Sequence, residues 1–334
     1  MLNYIEYNIF DDNDTIGMAS TSQPHDTPIP TLLQSRTQFI DYHKFGTINI
    51  QGGFNNKLND ILHFFTLQNY DILILTETGL HQYTNIDMDL NKTTHSTHSL
   101  PSLNNDNTIQ NIHVYTDNKG NTKGSGVSMI ITDQLQKHII KTNTFFGHIL
   151  TVDLCFKGNH YIKFICCYLP ANAADNKELI IKCYKEIENI LTHAMHNHFE
   201  CIVLGDLNIS FDKMKKSNHY PIWRREIKTI FKNFGLKDLV KSFHERPSPT
   251  HSTKRNEGPD IQSRIDYIFT SSNILHYSFY AYTHSVSEDL FTTDHKALSC
   301  YLTQDYFRNK FNSFRKSLEK SPTYKPNTNP QNSL

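Results

Sequence analysis

Cys201-Ile202-Val203-Leu204-Gly205-Asp206-Leu207-Asn208 is the stretch whose reading decides the fold. Four consecutive apolar residues are too few for a helix and lack the polar alternation of a half-buried strand, so the segment reads as a strand covered on both faces. The run ends in a carboxylate and an amide two positions apart, which lets Asp206 and Asn208 point the same way. Working outward, the same form recurs. Phe45-Gly46-Thr47-Ile48-Asn49 ends in an amide followed by Gln51-Gly52-Gly53, and Asp71-Ile72-Leu73-Ile74-Leu75-Thr76-Glu77 ends in a carboxylate. Further strands are expected at Val127 to Ile131, Ile149 to Phe156, Tyr161 to Tyr168, Ile265 to Phe269, Ser278 to Tyr282 and Ala297 to Leu302. Apolar residues at helical spacing mark Lys57 to Leu67, Lys177 to Met195 and Ile222 to Phe234, the last stopped by Gly235. Nine strands alternating with at least three helices describe one continuous α/β domain over residues 45 to 302. Asn91 to Asn111, rich in Thr, Asn and Ser and without a period, reads as a long surface loop.

The 334 residues carry 33 Lys and Arg against 33 Asp and Glu, a balance that argues against a globally basic nucleic-acid coat but leaves room for a local basic cleft. The balance hides opposite ends. Residues 1 to 44 hold Glu6, Asp11, Asp12, Asp14, Asp26 and Asp41 against Arg36 and Lys44, in a Pro- and Ser-containing setting that reads as an acidic disordered arm. Residues 303 to 334 hold Arg308, Lys310, Arg315, Lys316, Lys320 and Lys325 against Asp305 and Glu319, and Phe307, Phe311, Phe314 and Leu318 recur at helical spacing. A short basic helix and a Pro/Asn-rich tail are expected there. No run approaches the roughly 20 apolar residues of a membrane span, and the start lacks a signal peptide's basic and apolar parts. The expectation is a soluble intracellular monomer, nuclear if it acts on genomic DNA. Six cysteines without a C-x-x-C pair, five of them in apolar runs, read as reduced core thiols.

Polar and acidic residues collect at strand ends, where open α/β sheets gather their ligands. To Asn49, Glu77, Asp206 and Asn208 are added Arg264-Ile265-Asp266 and Thr293-Asp294-His295. Taken singly, such a carboxylate is more often a helix cap or turn former. Five sites of this kind, each beside an apolar strand, form a pattern. Hard oxygen donors without a Cys/His cluster suit magnesium, or manganese, which keeps waters for a phosphate to replace.

In order, Ile48-Asn49-Ile50-Gln51-Gly52, Thr76-Glu77-Thr78, Tyr168-Leu169-Pro170, Gly205-Asp206-Leu207-Asn208, Arg264-Ile265-Asp266-Tyr267 and Thr293-Asp294-His295 resemble the endonuclease/exonuclease/phosphatase superfamily. The likeness is greatest to the branch of AP endonucleases and LINE-type retrotransposon endonuclease domains. It implies a four-layered α/β sandwich, two face-to-face mixed β-sheets flanked by helices. It also implies Mg2+-dependent hydrolysis of phosphodiesters, with nucleic acid, double-stranded DNA in particular, as substrate. Asn49, Glu77 and Asp294 would hold the metal; Asp206 would activate water and Asn208 orient the phosphate. His295, held by Asp266, would donate to a phosphoryl oxygen, Tyr168 would serve the leaving oxygen, and Asn172, Thr250 and Arg264 would contact substrate.

Three positions depart from the AP endonuclease pattern. Ala171 stands where that branch has Asn, with Asn172 one residue on; Gln51 replaces an acid; Ser263 replaces an aromatic wall. These favour a retrotransposon-like endonuclease over an abasic-site repair enzyme, although His251 replaces the aromatic usual after Thr250. The other alternative is a phosphodiesterase or phosphatase acting on small or lipid esters. Lys213, Lys215, Lys216, Arg224, Arg225, Lys228 and Lys232 form the densest basic stretch, a backbone-contacting surface or a solvated helix face. His193, His196 and His198 read as a solvated helix end rather than a chelate.

Overall fold

The computed structural model describes residues 42–80, 93–101, 109–120, 124–216, 220–255, 258–304 and 306. The chain runs β1 (Tyr42–Asn49), α1 (Phe54–Leu67), β2 (Ile72–Thr76), β3 (Thr94–Pro101), β4 (Ile109–Asp117), β5 (Val127–Thr132) and α2 (Asp133–Gln136). It continues through β6 (Ile139–Phe145), β7 (Ile149–Phe156), β8 (His160–Tyr168), α3 (Lys177–His196), β9 (Glu200–Asp206), α4 (Phe211–Lys216) and α5 (Ile222–Asn233). Last come β10 (Lys237–Asp238), α6 (Leu239–Phe243), β11 (His251–Thr253), β12 (Ile261–Ser263), β13 (Asp266–Thr270), α7 (Ser272–Tyr277), β14 (Ser278–His284) and β15 (Ala297–Thr303).

Two mixed sheets result. The first has the order β14-β15-β1-β2-β5-β4-β3, the second β10-β13-β9-β8-β7-β6, and β11–β12 form a separate hairpin. Alternation along each strand sorts the apolar side chains into layers. Phe45, Ile72, Ile74 and Met129 from the first sheet meet Phe164, Cys166, Ile202, Leu204 and Ile268 from the second, forming the core between the sheets. The opposite face of the first sheet, with Ile48, Leu73 and Leu75, is covered by Ile61, Leu62 and Phe65 of α1. The opposite face of the second, with Ile165, Cys167 and Val203, is covered by Ile180, Tyr184 and Ile187 of α3 and Ile227, Ile230 and Phe231 of α5. Helix, sheet, sheet and helix make the four-layered sandwich, each fully buried aliphatic or aromatic side chain contributing about 1.5–3 kcal/mol relative to exposure.

The nine expected strands are present, and others accompany them. Asn91 to Asn111, expected as a loop, instead contains β3 and the start of β4, paired antiparallel from Thr94↔Thr116 to Pro101↔Ile109. The hairpin lies at the sheet edge with β3 almost wholly exposed, so nothing imposed an apolar alternation on it. β1 begins at Tyr42, and Lys44, assigned above to the arm, is buried with Nζ donating to the Gln68 carbonyl and lying 4.3 Å from the Tyr70 ring centre. The rest of the acidic arm and the basic C-terminal helix lie outside the described residues. All six cysteines are free and five are buried. No helix among the described residues is long and apolar enough to cross a membrane.

Candidate active site

The apolar rows between the sheets end in polar residues at one end of the sandwich. Asn49 lies four residues beyond Phe45 on the same face of β1, and Asp206 follows Ile202 and Leu204 on β9. They therefore meet across the sandwich: Asn49 Nδ2 donates to Asp206 Oδ2 at 2.8 Å and to Glu77 Oε2 at 2.9 Å. Tyr168 ends the row of Phe164 and Cys166 on β8, and Asp266 begins β13 two residues before Ile268. Asn49, Asp206 and Asp266 are fully buried or nearly so, at 0–1% exposure.

The strand exits are strained. Gln51, Glu77 and Asn208 all adopt left-handed φ of 48–53°, a cost of order 1–3 kcal/mol each for non-glycine residues and least for Asn. Asn208 is held there by its N–H on Asp206 Oδ1 (2.8 Å), its Nδ2 on the Leu169 carbonyl (2.7 Å), and its own carbonyl accepting from Arg224 Nη2. Gly205 pairs with Cys167 at φ 132°, where a Cβ would fall 2.1 Å from the Cys167 carbonyl oxygen. The motif requires glycine there.

His295 Nδ1 lies 2.8 Å from Asp266 Oδ2, both side chains at most 5% exposed. Burial would lower the imidazole pKa, but Asp266 first, then Asp206 and Asp294, raise it to about 9, so the ring is charged at neutral pH. Burial and the Asp266 carboxylate push Asp206 well above the usual carboxylate range, with His295 and the Asn208 and Asn49 donors offsetting part of it. Burial, with the Glu77 and Asp206 carboxylates adding to it, also pushes the Tyr168 phenol upward, so it is a proton donor and not a phenolate. Asp294 Oδ1 is 3.6 Å from His295 Nε2 and its Oδ2 is 3.4 Å from His251 Nε2.

Of the residues chosen from sequence, Asn49, Glu77, Asp206 and Asn208 form one hydrogen-bonded group, and Asp266, His295 and Asp294 a second that touches the first through Asp206, whose carboxylate gathers with Asp266 and His295. Thr250 is buried below, its hydroxyl accepting from the N–H groups of Ile265 and Asp266 at 3.1 Å each, so it holds Asp266 from beneath. Arg264 is turned to Asp212 (3.0 Å) and Asp238 (2.7 Å), 5% exposed. Asn172 is exposed on the segment after β8 and bonds Asp175. Neither shares a contact with the cluster.

Several contributors carried no sequence signal. Lys57 on α1 donates from Nζ to the carbonyls of Ile50 (2.6 Å) and Thr292 (3.1 Å), tying the exit of β1 to the loop before Asp294. A Cβ at Gly124 would stand 3.1 Å from both Glu77 Oε1 and Tyr168 Oη, so this glycine closes the site over them. His148 meets the Tyr168 carbonyl at 2.9 Å and stacks on its ring.

The sequence profile of the Endonuclease/Exonuclease/phosphatase family matches residues 46–295. This chain belongs to that family. A comparison with curated proteins found no match. Among solved structures, the AP endonuclease LMAP from Leishmania major is 15% identical, covering 83% of this chain and 93% of its own, with a TM-score of 0.55. The 3'-5' exonuclease NExo from Neisseria meningitidis is 16% identical over 78% of this chain and 99% of its own, TM-score 0.53. The endonuclease domain of TRAS1, a telomere-specific non-LTR retrotransposon, is 14% identical over 78% and 98%, TM-score 0.49. The likenesses to LMAP and NExo establish the fold. As a member of the Endonuclease/Exonuclease/phosphatase family the chain is a hydrolase of phosphate esters.

The donor set fits a hard dication. Two carboxylates, Glu77 and Asp206, converge on the single amide nitrogen of Asn49, and among the described residues no cysteine joins a metal-ligand group there. Asp266 Oδ1 is buried without a hydrogen-bond partner, and burial together with Asp266 raises Asp206. A dication would offset this crowding of negative charge.

Proposed function

We propose that this protein is a magnesium-dependent endonuclease that cuts double-stranded DNA, of the retrotransposon-like kind. The observation that carries the reading is the convergence of Glu77 and Asp206 on Asn49 beside the His295 imidazolium that Asp266 holds. Carboxylates able to take a dication next to a fixed cationic donor are the make-up of a site that hydrolyses phosphate esters. Glu77 and Asn49 would hold the metal, which supplies Lewis-acid stabilisation where charge builds on the phosphate.

With a dication offsetting the charge that raises it, Asp206 would be ionised and would receive the proton of the attacking water, and the Asn208 backbone N–H and Asn49 amide keep its carboxylate aimed. The His295 imidazolium, fixed in orientation by Asp266, donates from Nε2 to a phosphoryl oxygen. Tyr168, kept as a phenol and seated beside Glu77, donates to the leaving oxygen. Thr250 and Lys57 position the backbones that carry Asp266 and Asp294. The departures at Gln51, Ala171 and Ser263 support the retrotransposon-like choice over abasic-site repair.

The test is nicking of supercoiled plasmid with magnesium and with EDTA, run beside an abasic duplex, an RNA and a phosphoinositide. Plasmid nicking that EDTA abolishes, and that falls at least about a hundredfold in Glu77→Ala and His295→Ala, is expected. A strong preference for the abasic duplex would replace the branch choice. Hydrolysis of the phosphoinositide alone, or full activity in either variant, would overturn the reading.

A further inference from the structure

Beside the hydrolytic cluster lies a second arrangement of ligand atoms. His251, Asp294 and His295 each offer one donor, and the three atoms lie within 4.8 Å of one another. The backbone holds them together. His251 and His295 face each other in an antiparallel bridge, Ser252 N–H donates to the Asp294 carbonyl (3.1 Å) and Lys296 N–H to the Thr250 carbonyl (2.7 Å). Both imidazoles thus reach the same carboxylate, His251 at Oδ2 and His295 at Oδ1, with ring centres 4.7 Å apart.

The distances of 3.4 and 3.6 Å from Asp294 to the two Nε2 atoms match the separation of about 3.4 Å between ligands of a tetrahedral zinc at bond lengths of about 2.0–2.1 Å. Asp294 Oδ1 is buried and accepts no hydrogen bond. His295 gives its Nδ1 to Asp266, the carboxylate–histidine arrangement that orients an imidazole ligand and raises its basicity. Hydroxyl contacts to His251 are at the outer limit, 3.5 Å from Thr253 Oγ1 to Nε2 and 3.5 Å from Ser263 Oγ to Nδ1, so neither competes strongly for the ring. The triad opens on a groove of about 680 Å³ that includes Gln51 and Lys254, which leaves room for entry and for a fourth, water ligand.

We propose that His251, Asp294 and His295 bind a transition-metal dication of the zinc type, at a site separate from Glu77 and Asn49, and that the bound ion silences the hydrolytic site. Two imidazoles and one carboxylate select zinc, cobalt or nickel over magnesium. The ion takes the place of the proton on His295 Nε2 and engages Asp294, so the donor to the phosphoryl oxygen is lost. This inhibitory consequence rests on the hydrolytic reading above; the binding itself does not.

The purified, EDTA-stripped protein is titrated with cobalt(II) and followed by its visible d–d absorption, then with zinc in competition. One site per chain is expected, with His251→Phe weakening it by at least about a hundredfold, more than the loss of an outer partner costs. His251→Gln gives the same result if the phenylalanine variant is misfolded by circular dichroism. Glu77→Ala should retain the bands. Cobalt bound as tightly by both His251 variants as by the parent, or bands lost in Glu77→Ala instead, would overturn the site. Zinc should inhibit magnesium-supported nicking in the parent and spare His251→Phe, whose magnesium activity is unchanged. Equal inhibition of both would overturn the silencing. If no metal supports nicking while cobalt still binds through His251, the hydrolytic reading fails and the site stands.

Discussion

Replacing Asp266 with Asn removes one charge from the site and keeps the shape. The carboxylate sits 2.8 Å from His295 Nδ1 with both groups almost wholly buried. Burial pulls His295 down, and Asp266 is the largest of the groups that instead raise it from 6.5 to about 9. Without that charge the ring returns to about its ordinary value, a difference of order 3 kcal/mol between its two protonation states. The parent is then mostly imidazolium at pH 7.5, while the variant is charged in roughly one molecule in ten. Asp206 also falls, because Asp266 is the main charge raising it, so both limbs of the pH–rate profile move to lower pH. On the His295 limb alone, initial nicking rates should show the variant about tenfold slower at about pH 7.5 and nearer a hundredfold at about pH 8.5, with no deficit at about pH 6, where the lower Asp206 favours the variant. Stability follows the same sign. A folded value above the unfolded one stabilises fully below about 6.5 and is lost as pH rises through about 9. The parent should lose melting temperature across that window and the variant should not. A rate ratio independent of pH, or His295 still titrating near 9 in the variant, would refute the electrostatic account.

Other outcomes follow from the packing. Gly205→Ala should lower urea stability by about 3 kcal/mol or more, because φ 132° and the Cys167 carbonyl leave a Cβ no place; a change below about 1 kcal/mol would mean that β8 and β9 can separate locally. Lys163 and Asp153 form a buried ion pair at 4–5% exposure on neighbouring strands. Lys163→Met alone should cost about 3–5 kcal/mol, while Lys163→Met with Asp153→Leu should recover most of it, by chemical denaturation. Lys213, Lys228 and Lys232 are exposed on α4 and α5. If they touch the DNA backbone, each Ala replacement reduces the slope of log affinity against log salt by about 0.9, and an unchanged slope assigns them to solvent.

The sequence made the sandwich legible wherever a strand was buried on both faces. Ile202-Val203-Leu204 and Ile72-Leu73-Ile74-Leu75 serve two cores at once, so burial wrote itself into uninterrupted apolar runs. β3 was illegible because only one edge of it pairs and its side chains meet solvent; Thr and Ser there satisfy a strand without advertising one. Two-residue β10 and three-residue β11 and β12 fall below the length at which periodicity exists. Among site residues, Asn49, Glu77 and Asp206 were visible as polar ends of apolar runs. Arg264 was visible for another reason. It stands in the motif, but its guanidinium is consumed by Asp212 on α4 and Asp238 on β10, partners that only the folded chain brings near. Lys57 and Gly124 act through carbonyls and through empty space, which no residue pattern encodes.

Why these residues converge follows from strand direction. β1 and β2 run parallel, as do β8 and β9, so the carboxyl ends of two strands in each sheet lie together. Asn49 and Glu77 leave one pair; Tyr168 and Asp206 end the other. β13 and β15 run antiparallel to their neighbours β9 and β1, so the same end of the sandwich receives their amino ends. Asp266 opens β13, and Asp294 and His295 lie just ahead of β15. The period of two then selects which of these residues faces inward: Asp206 in line with Leu204, Asn49 in line with Thr47, Asp266 in line with Ile268. A slip of one residue in β9 would send Asp206 to the helix side and leave Gly205 in the site. The set proposed to carry hydrolysis is thus fixed by sheet pairing, where a change is costly. His251 lies on the small β11–β12 hairpin, outside both large sheets, and can vary without disturbing either core. New chemistry is most easily added at that position, against a His295 that the sheets already hold.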